Sequence, residues 1–168
     1  MNRREFIASA IALGMTASVL GDAPSAAIPF ETFKSYFVLN TIHPEKGQNC
    51  KFGICTTHEQ FEALFHPAAV MFSRQKFISP DYFNDHVILY WIEWGNTPWN
   101  YTVEAVVPDK NGLVVQYTRE GTPSDSAFFS PHLLVGVKKT ADKSSTISFL
   151  KFLDVALATP FLKLPAYE

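Results

Sequence analysis

The chain has 168 residues, of which 47% are hydrophobic, 14% aromatic and 18% charged, and its formal net charge is -2. This composition excludes intrinsic disorder for most of the length, because 15 phenylalanines alone give a collapsed chain ample apolar surface to bury. The balance of 14 basic against 16 acidic residues provides no positive field, so we expect neither a nucleic acid nor a membrane surface as the partner.

The N-terminal residues are typical of an export signal. Arg3 and Arg4 precede an apolar stretch at residues 6–21, and small side chains follow up to residue 27. The two arginines, one variable residue, Phe6 and an aliphatic residue resemble the twin-arginine signal. The alternatives are a general secretory signal that begins with two arginines, and an uncleaved anchor, although the stretch is shorter than the roughly 20 residues that span a bilayer.

The domain organisation follows from this signal. We expect residues 1–27 to be a signal peptide and residues 28–168 to form a single domain, which is an ordinary domain size. The mature protein is then periplasmic or secreted, with no membrane attachment after cleavage of the signal.

The mature chain is predicted to consist mainly of strands. We predict them at residues 33–40, 86–94, 100–107, 113–118, 128–138 and 145–153. An Asn-Gly pair favours a hairpin between the third and fourth of these segments, and we expect the last two segments to form another antiparallel pair. The nearly continuous apolar run at residues 86–94 indicates a central strand that is covered on both faces.

The alternation of side chains along that central strand separates its aromatic residues. Tyr90, Ile92 and Trp94 are predicted to lie on one face of the sheet, and Trp91 and Glu93 on the other. We expect Trp91 to lie in the core and Glu93 to solvate a sheet face.

One helix is indicated at residues 57–65. Thr57 followed by Gln60 is a capping box, and Phe61, Leu64 and Phe65 form an apolar stripe at helical spacing. The order of elements predicts an α+β fold: an antiparallel, mainly β-sheet domain with one principal helix packed on one face.

The two cysteines are predicted to form a structural disulfide. If Phe52 and Gly53 made a two-residue turn, Cys50 and Cys55 would lie opposite each other across a hairpin, and an oxidising compartment would allow them to bond. Two unpaired buried thiols, or a redox or metal site, are the other interpretations. The spacing is not that of a redox motif, and two cysteines alone do not complete a tetrahedral zinc site.

No motif for catalysis is present. The sequence lacks a nucleophile elbow, a phosphate-binding glycine loop, a dinucleotide fingerprint and a zinc-binding helix. We therefore predict a protein that is not an enzyme and that uses no cofactor and no metal. A catalytic group assembled from residues distant in sequence is the alternative.

Aromatic residues dominate the segment that follows the central strand, since all three tryptophans fall within residues 91–99. Aromatic side chains that flank a polar turn can remain at the surface as anchors for a partner, or as a stacking surface for a ligand. We predict Trp94, Asn96, Trp99 and Tyr101 as partner-binding or ligand-binding residues. Local packing of these aromatic rings is the other interpretation.

The order of several segments resembles the C-terminal domain of the protease-complex subunit PrcB family. The matching segments are residues 57–65, 78–83, 87–95, the strand that includes Tyr101, residues 113–115 and residues 130–135. Trp99 and Asn100 replace the pair of glycines that usually precedes a Tyr in that family. The resemblance implies an exported, non-catalytic accessory domain that associates with or stabilises a secreted protease and needs no cofactor. The alternative function is a periplasmic small-ligand or carbohydrate-binding domain that uses the same aromatic surface.

Overall fold

A computed structural model describes residues 27–68, 77–109, 112–139, 149–156 and 159–161. The predicted signal residues Arg3, Arg4 and Phe6 lie outside the described residues. The described elements, in chain order, are β1 (Phe30–Thr32), β2 (Tyr36–Val38), β3 (Cys50–Cys55), α1 (His58–Glu62), β4 (Phe65–Pro67), α2 (Tyr82–Asp85), β5 (His86–Glu93), β6 (Asn100–Asp109), β7 (Gly112–Glu120), β8 (His132–Lys138), β9 (Phe149–Asp154) and β10 (Thr159–Phe161).

These strands form two four-stranded sheets and a two-stranded ribbon. The first sheet has the order β1-β8-β5-β3, the second has the order β10-β9-β7-β6, and β2 pairs with β4. Every pairing is antiparallel except that of β7 with β9, which is parallel. The predicted fold class, an antiparallel and mainly β-sheet α+β domain, is confirmed.

The first sheet is the middle one of three layers. One of its faces packs against the second sheet around Trp91, Val135, Val115 and Phe152. The other face packs against the helices and the ribbon, and its core includes Ile88. Because both faces are covered, the central strand β5 reads as a continuous apolar run, which confirms the prediction for residues 86–94.

The predicted alternation along β5 is also confirmed. Tyr90, Ile92 and Trp94 belong to the core shared with the helices and the ribbon. Trp91 belongs to the core between the two sheets, and Glu93 bonds to residues of the second sheet.

Helix α1 begins with the predicted capping box. The Thr57 side chain accepts a hydrogen bond from the backbone N–H of Gln60, and the Gln60 side chain accepts one from the backbone N–H of Thr57. The helix ends at Glu62, three residues earlier than predicted, because Phe65 starts β4. The short helix α2 was not predicted. Among the described helices, none has both the length and the apolar character needed to cross a membrane.

Two of the predicted strand assignments are wrong. The segment at residues 33–40 does not form one strand, since β1 ends at Thr32 and β2 begins at Tyr36. The predicted pairing of residues 128–138 with 145–153 does not exist, because β8 lies in the first sheet and β9 in the second. The predicted pairing of β6 with β7 is confirmed.

The predicted disulfide between Cys50 and Cys55 is wrong, and both cysteines are free. Residues 50–55 form one continuous strand in register with β5, so Phe52 and Gly53 do not turn the chain. Five residues of extended chain separate two Cα atoms by roughly 16 Å, whereas a disulfide needs less than about 7 Å. The odd spacing also directs the two side chains to opposite faces of the sheet.

The two sheets approach each other along their edge strands β1 and β6. Just before β1, the backbone N–H of Ile28 donates to the carbonyl oxygen of Val106 in β6, at 2.7 Å. Further along, Thr32 and Tyr101 are not paired with each other, and both line a surface groove. The edge strands therefore meet at one end and leave a groove at the other.

Candidate functional site

A surface groove of about 520 Å³ lies at the open end of the β1 and β6 edges. Three chain segments form it, at residues 32–37, 98–101 and 128–134. Its lining includes Phe128 and Phe37, whose exposed fractions are 72% and 55%. Large apolar side chains grouped at a surface commonly mark a binding site. The groove is therefore the best candidate for a functional site among the described residues.

Trp99 is held on two sides in the wall of this groove. Its indole Nε1 donates to Glu93 Oε1 at 3.1 Å. The guanidinium carbon of Arg119 lies 4.4 Å from the centroid of the ring, which is the distance of a cation–π contact. Because an edge bond and a face contact act together, the ring has one defined orientation beside the groove.

Glu93 connects Trp99 to the neighbouring strands. Its Oε2 accepts a hydrogen bond from the Tyr101 hydroxyl at 3.1 Å. Arg119 Nη1 donates to both carboxylate oxygens of Glu93, at 3.1 and 2.9 Å. Only 16% of the Glu93 side chain is exposed. The expectation that Glu93 solvates a sheet face is therefore wrong.

Arg119 bridges Glu93 to a second carboxylate. Its Nε lies 2.9 Å from Oδ2 of Asp154, a residue with no exposed surface. Burial lowers the pKa of Arg119, but the charges of Glu93 and Asp154 outweigh this effect and keep it above its ordinary value. Burial raises the pKa of Tyr101, and the negative charge of Glu93 raises it further. The cluster therefore holds a charged guanidinium and a neutral phenol under the groove.

The structure separates the four residues that the sequence analysis predicted for binding. Trp99 and Tyr101 line the groove. Trp94 is buried in the core shared with the helices, so it is a packing residue. Asn96 is exposed in the connection after β5 and lies outside the groove, where its side chain accepts a 3.4 Å hydrogen bond from the hydroxyl of Thr97.

Several residues of the site were not singled out from the sequence. Phe37, Phe128 and Lys34 line the groove, and Arg119 and Asp154 lie in the supporting cluster. Phe128 carried no clear signal, because the sequence pattern placed it at the start of the strand predicted at residues 128–138. Arg119 and Asp154 carried no signal either. Glu93 and Asp154, the two partners of Arg119, each lie 26 or more residues from it in the sequence.

The side chains of the groove offer few free polar groups. The indole N–H of Trp99 and the hydroxyl of Tyr101 are both engaged by Glu93. Lys34 is exposed and provides a positive charge in the lining. Burial lowers the pKa of His132, with a smaller opposing effect from a hydrogen bond to the Ser130 backbone, so this lining residue is neutral at pH 7. The surface is thus suited to apolar contact beside one cation.

Among the described residues, no three His, Cys, Asp or Glu side chains lie together in a way that could hold a metal ion. Comparison with known proteins gives no match for the chain among family models, curated proteins or solved structures.

Proposed function

We propose that residues 28–168 form a non-catalytic interaction domain that binds a protein partner through the aromatic groove. The observation that carries this proposal is the position of Phe128, which is 72% exposed and shares the groove with Trp99. An exposed phenylalanine in water leaves apolar surface uncovered, and a partner that covers it gains about 25 cal/mol for each Å² buried.

The fixed orientation of Trp99 supports this function. A side chain that is already ordered loses little conformational freedom when a partner binds, so more of the contact energy appears as affinity. Glu93 and Arg119 hold the ring before any partner arrives. Rigid aromatic anchors of this kind are typical of binding hot spots.

A secreted protease is the partner class that we propose first. The resemblance to the C-terminal domain of the PrcB family supports this choice, as does the expected export of the chain. Phe128 and Trp99 would then contact an apolar segment of the protease or of a neighbouring accessory protein.

A protein partner is a better fit to the groove than a carbohydrate. Sugars stack on aromatic rings, but their hydroxyl groups also need hydrogen-bond partners at the edges of those rings. The donors of Trp99 and Tyr101 are already bonded to Glu93. A sugar at this position would give up hydrogen bonds to water without recovering them from these two side chains.

The test compares two exposed apolar positions in the full chain. Phe128→Ser removes an aromatic ring from the groove, and Val155→Ser changes an exposed residue that does not line it. Each variant is tagged, produced in an export-competent host and incubated with the secreted and periplasmic proteins of the native organism. We expect Phe128→Ser to lower recovery of a specific partner about tenfold or more, as at a binding hot spot, and Val155→Ser to leave it unchanged.

Equal recovery with both variants would contradict the proposal. A parallel titration with monosaccharides and disaccharides, followed by tryptophan fluorescence, tests the alternative function. A saturable response that Phe128→Ser abolishes, in the absence of any protein partner, would show that the groove binds carbohydrate instead.

A further inference from the structure

We propose that the partner enters the groove as an extended segment and adds a strand to the free edge of β6 at Tyr101. This inference rests on the proposed function and specifies its binding mode. The bound segment would make backbone hydrogen bonds to β6 and would place an apolar side chain against Trp99 and Phe128. This mode is strand addition to an open sheet edge.

The direction of the Tyr101 backbone follows from the neighbouring strand. The carbonyl oxygen of Tyr117 in β7 accepts from the backbone N–H of Val155, which directly follows β9. Because β7 lies between β9 and β6, this carbonyl points away from β6. Backbone groups alternate in direction along a strand, so those of Arg119, two residues later, also point away from β6.

Tyr101 is the residue of β6 that lies opposite Arg119. Since the backbone of Arg119 does not face it, the two residues form a pair without mutual hydrogen bonds. The N–H and C=O groups of Tyr101 therefore point to the free edge of β6. The hydrogen bond from Ile28 to Val106 supports this assignment, because it shows that the carbonyl of Val106 points to the outer edge of β6. Val106 lies opposite Val115, which is two residues before Tyr117 and therefore has backbone groups that point in the same direction as those of Tyr117.

The opposite wall of the groove presents a second open edge. The backbone N–H of Phe33 donates to the carbonyl of Leu134 in β8, at 3.2 Å. By the same alternation, the backbone of Thr32 points away from β8, toward the outside of the first sheet. Thr32 and Tyr101 both line the groove. Among the described strands, none pairs with the outer edge of β6 at Tyr101 or with the outer edge of β1 at Thr32, so two open edges border one apolar groove.

These features select the chemistry of the occupant. Free donors and acceptors at a sheet edge favour an extended polypeptide, because it offers both kinds of group at strand spacing. The exposed ammonium of Lys34 in the lining favours a carboxylate side chain next to the apolar one. We therefore expect an extended segment with alternating apolar residues, one acidic residue and no proline at the paired position.

The experiment begins with a displayed library of random decapeptides, selected against the immobilised full chain. The tightest peptide is synthesised, and its affinity is measured by calorimetry. Its amides are then replaced one at a time by esters, which removes an N–H donor and keeps every side chain. We expect at least one replacement to weaken binding about tenfold, since a buried backbone acceptor loses its donor.

Hydrogen exchange reports on the protein side of the same contact. We expect the amide of Tyr101 to exchange at least about tenfold more slowly in the complex. Lys34→Glu should weaken binding of a peptide with a carboxylate by about two- to fivefold, and exchanging that carboxylate for an ammonium in the peptide should restore it.

Different results distinguish failure of this inference from failure of the proposed function. Peptides that bind, lose affinity with Phe128→Ser, tolerate every ester and leave the Tyr101 amide unprotected would overturn strand addition alone. A library with no binder, together with unchanged partner recovery by Phe128→Ser, would overturn both. Self-association that Phe128→Ser abolishes would identify a second copy of the chain as the occupant and would also overturn the inference.

Discussion

The guanidinium of Arg119 lies 4.4 Å from the ring centroid of Trp99, and its Nε lies 2.9 Å from the buried carboxylate of Asp154. One side chain thus connects a residue of the groove to a charge in the core between the sheets. The orientation of the groove surface depends on the integrity of this buried cluster. A substitution in this cluster should therefore alter the free energy of unfolding and the orientation of the Trp99 ring together.

Replacement of Arg119 should be costly. In Arg119→Met, Glu93 and Asp154 lose their shared cation, and we expect the free energy of unfolding to fall by about 3 kcal/mol, as when one partner of a buried ion pair is removed. The free energy of unfolding of Arg119→Lys should lie between those of the wild type and Arg119→Met. Lysine keeps the charge but loses the planar guanidinium and its stacking on Trp99.

Urea denaturation measures this difference. The matched control is Lys51→Met, which removes a positive charge from an exposed position and should change the free energy of unfolding by less than about 0.5 kcal/mol. Equal stability of Arg119→Met and Lys51→Met would show that the cluster does not contribute to folding.

Gly136 in β8 should not tolerate a methyl group. A Cβ at this position would overlap the hydroxyl of Tyr82 and would lie 3.0 Å from the ring of Phe33. We expect Gly136→Ala to lower the free energy of unfolding by about 1–3 kcal/mol, the usual cost of overpacking. Thermal and urea unfolding measure the loss, and Gly95→Ala is the control, because no heavy atom lies within 4 Å of its added Cβ.

A second substitution identifies the cause. The Tyr82 hydroxyl is buried without a hydrogen-bond partner among the described residues, so Tyr82→Phe should cost little. We expect Tyr82→Phe to recover part of the stability that Gly136→Ala loses. Strictly additive effects of the two substitutions would exclude the overlap as the cause.

The two thiols should remain reduced and differ in reactivity. We expect air oxidation of the folded monomer to leave its mass unchanged, since Cys50 and Cys55 lie too far apart along β3 to bond. Burial raises the pKa of Cys55 to about 12 from 9.0, so its thiolate fraction at pH 8 is about a thousandfold below that of an ordinary thiol.

Alkylation followed by peptide mass analysis tests this order. Burial and the charge of Glu93 also raise the pKa of Cys50, but this thiol is only half-buried and is the internal reference. Iodoacetamide at pH 8 should label Cys50 first and Cys55 only after unfolding. Labelling of Cys55 as fast as Cys50 in the native protein would show that the Cys55 thiol is accessible and not buried.

His132 should make the protein less stable in mild acid. Burial holds its folded pKa below the ordinary value of 6.5, so the unfolded chain binds a proton more readily. Stability from this group is therefore complete above pH 6.5 and declines as the pH falls toward the folded pKa. We expect the urea midpoint to decrease as the pH is lowered from 7.5 to 5.5.

The contribution of His132 is isolated by comparison of two variants. His132→Gln should show a smaller decrease of the urea midpoint over the same interval, because the position no longer titrates. His43→Gln changes an exposed residue and should reproduce the wild-type decrease. Parallel pH profiles for wild type and His132→Gln would assign the acid sensitivity to other groups.

Local patterns were sufficient for the central strand and for the start of the helix. The apolar run at residues 86–94 and the capping box at Thr57 depend on neighbours within one turn or one strand, so the local order of residues predicts them. The sheet in which a strand lies depends on distant partners. β8 and β9 are consecutive strands that belong to different sheets, and no local signal distinguishes this arrangement from a hairpin.

The candidate site was predictable only in part for the same reason. Trp99 and Tyr101 stood out as aromatic residues after a buried strand, and both line the groove. Alternation along the strand placed Trp94 on one face with Tyr90 and Ile92, and the structure buries that face in the core and not at the groove. Arg119 reaches the site by strand register, which the sequence does not encode locally.

Consecutive strands alternate between the two sheets: β5 lies in the first, β6 and β7 in the second, β8 in the first, and β9 and β10 in the second. The first sheet takes strands from both halves of the sequence, and its strand β8 lies between β7 and β9 of the second sheet along the chain. We infer that no fragment ending between β7 and β8 is an autonomous folding unit, because the first sheet would lack the strand between β1 and β5. A limited proteolytic cut in that connection should be followed by loss of the whole fold in one cooperative step.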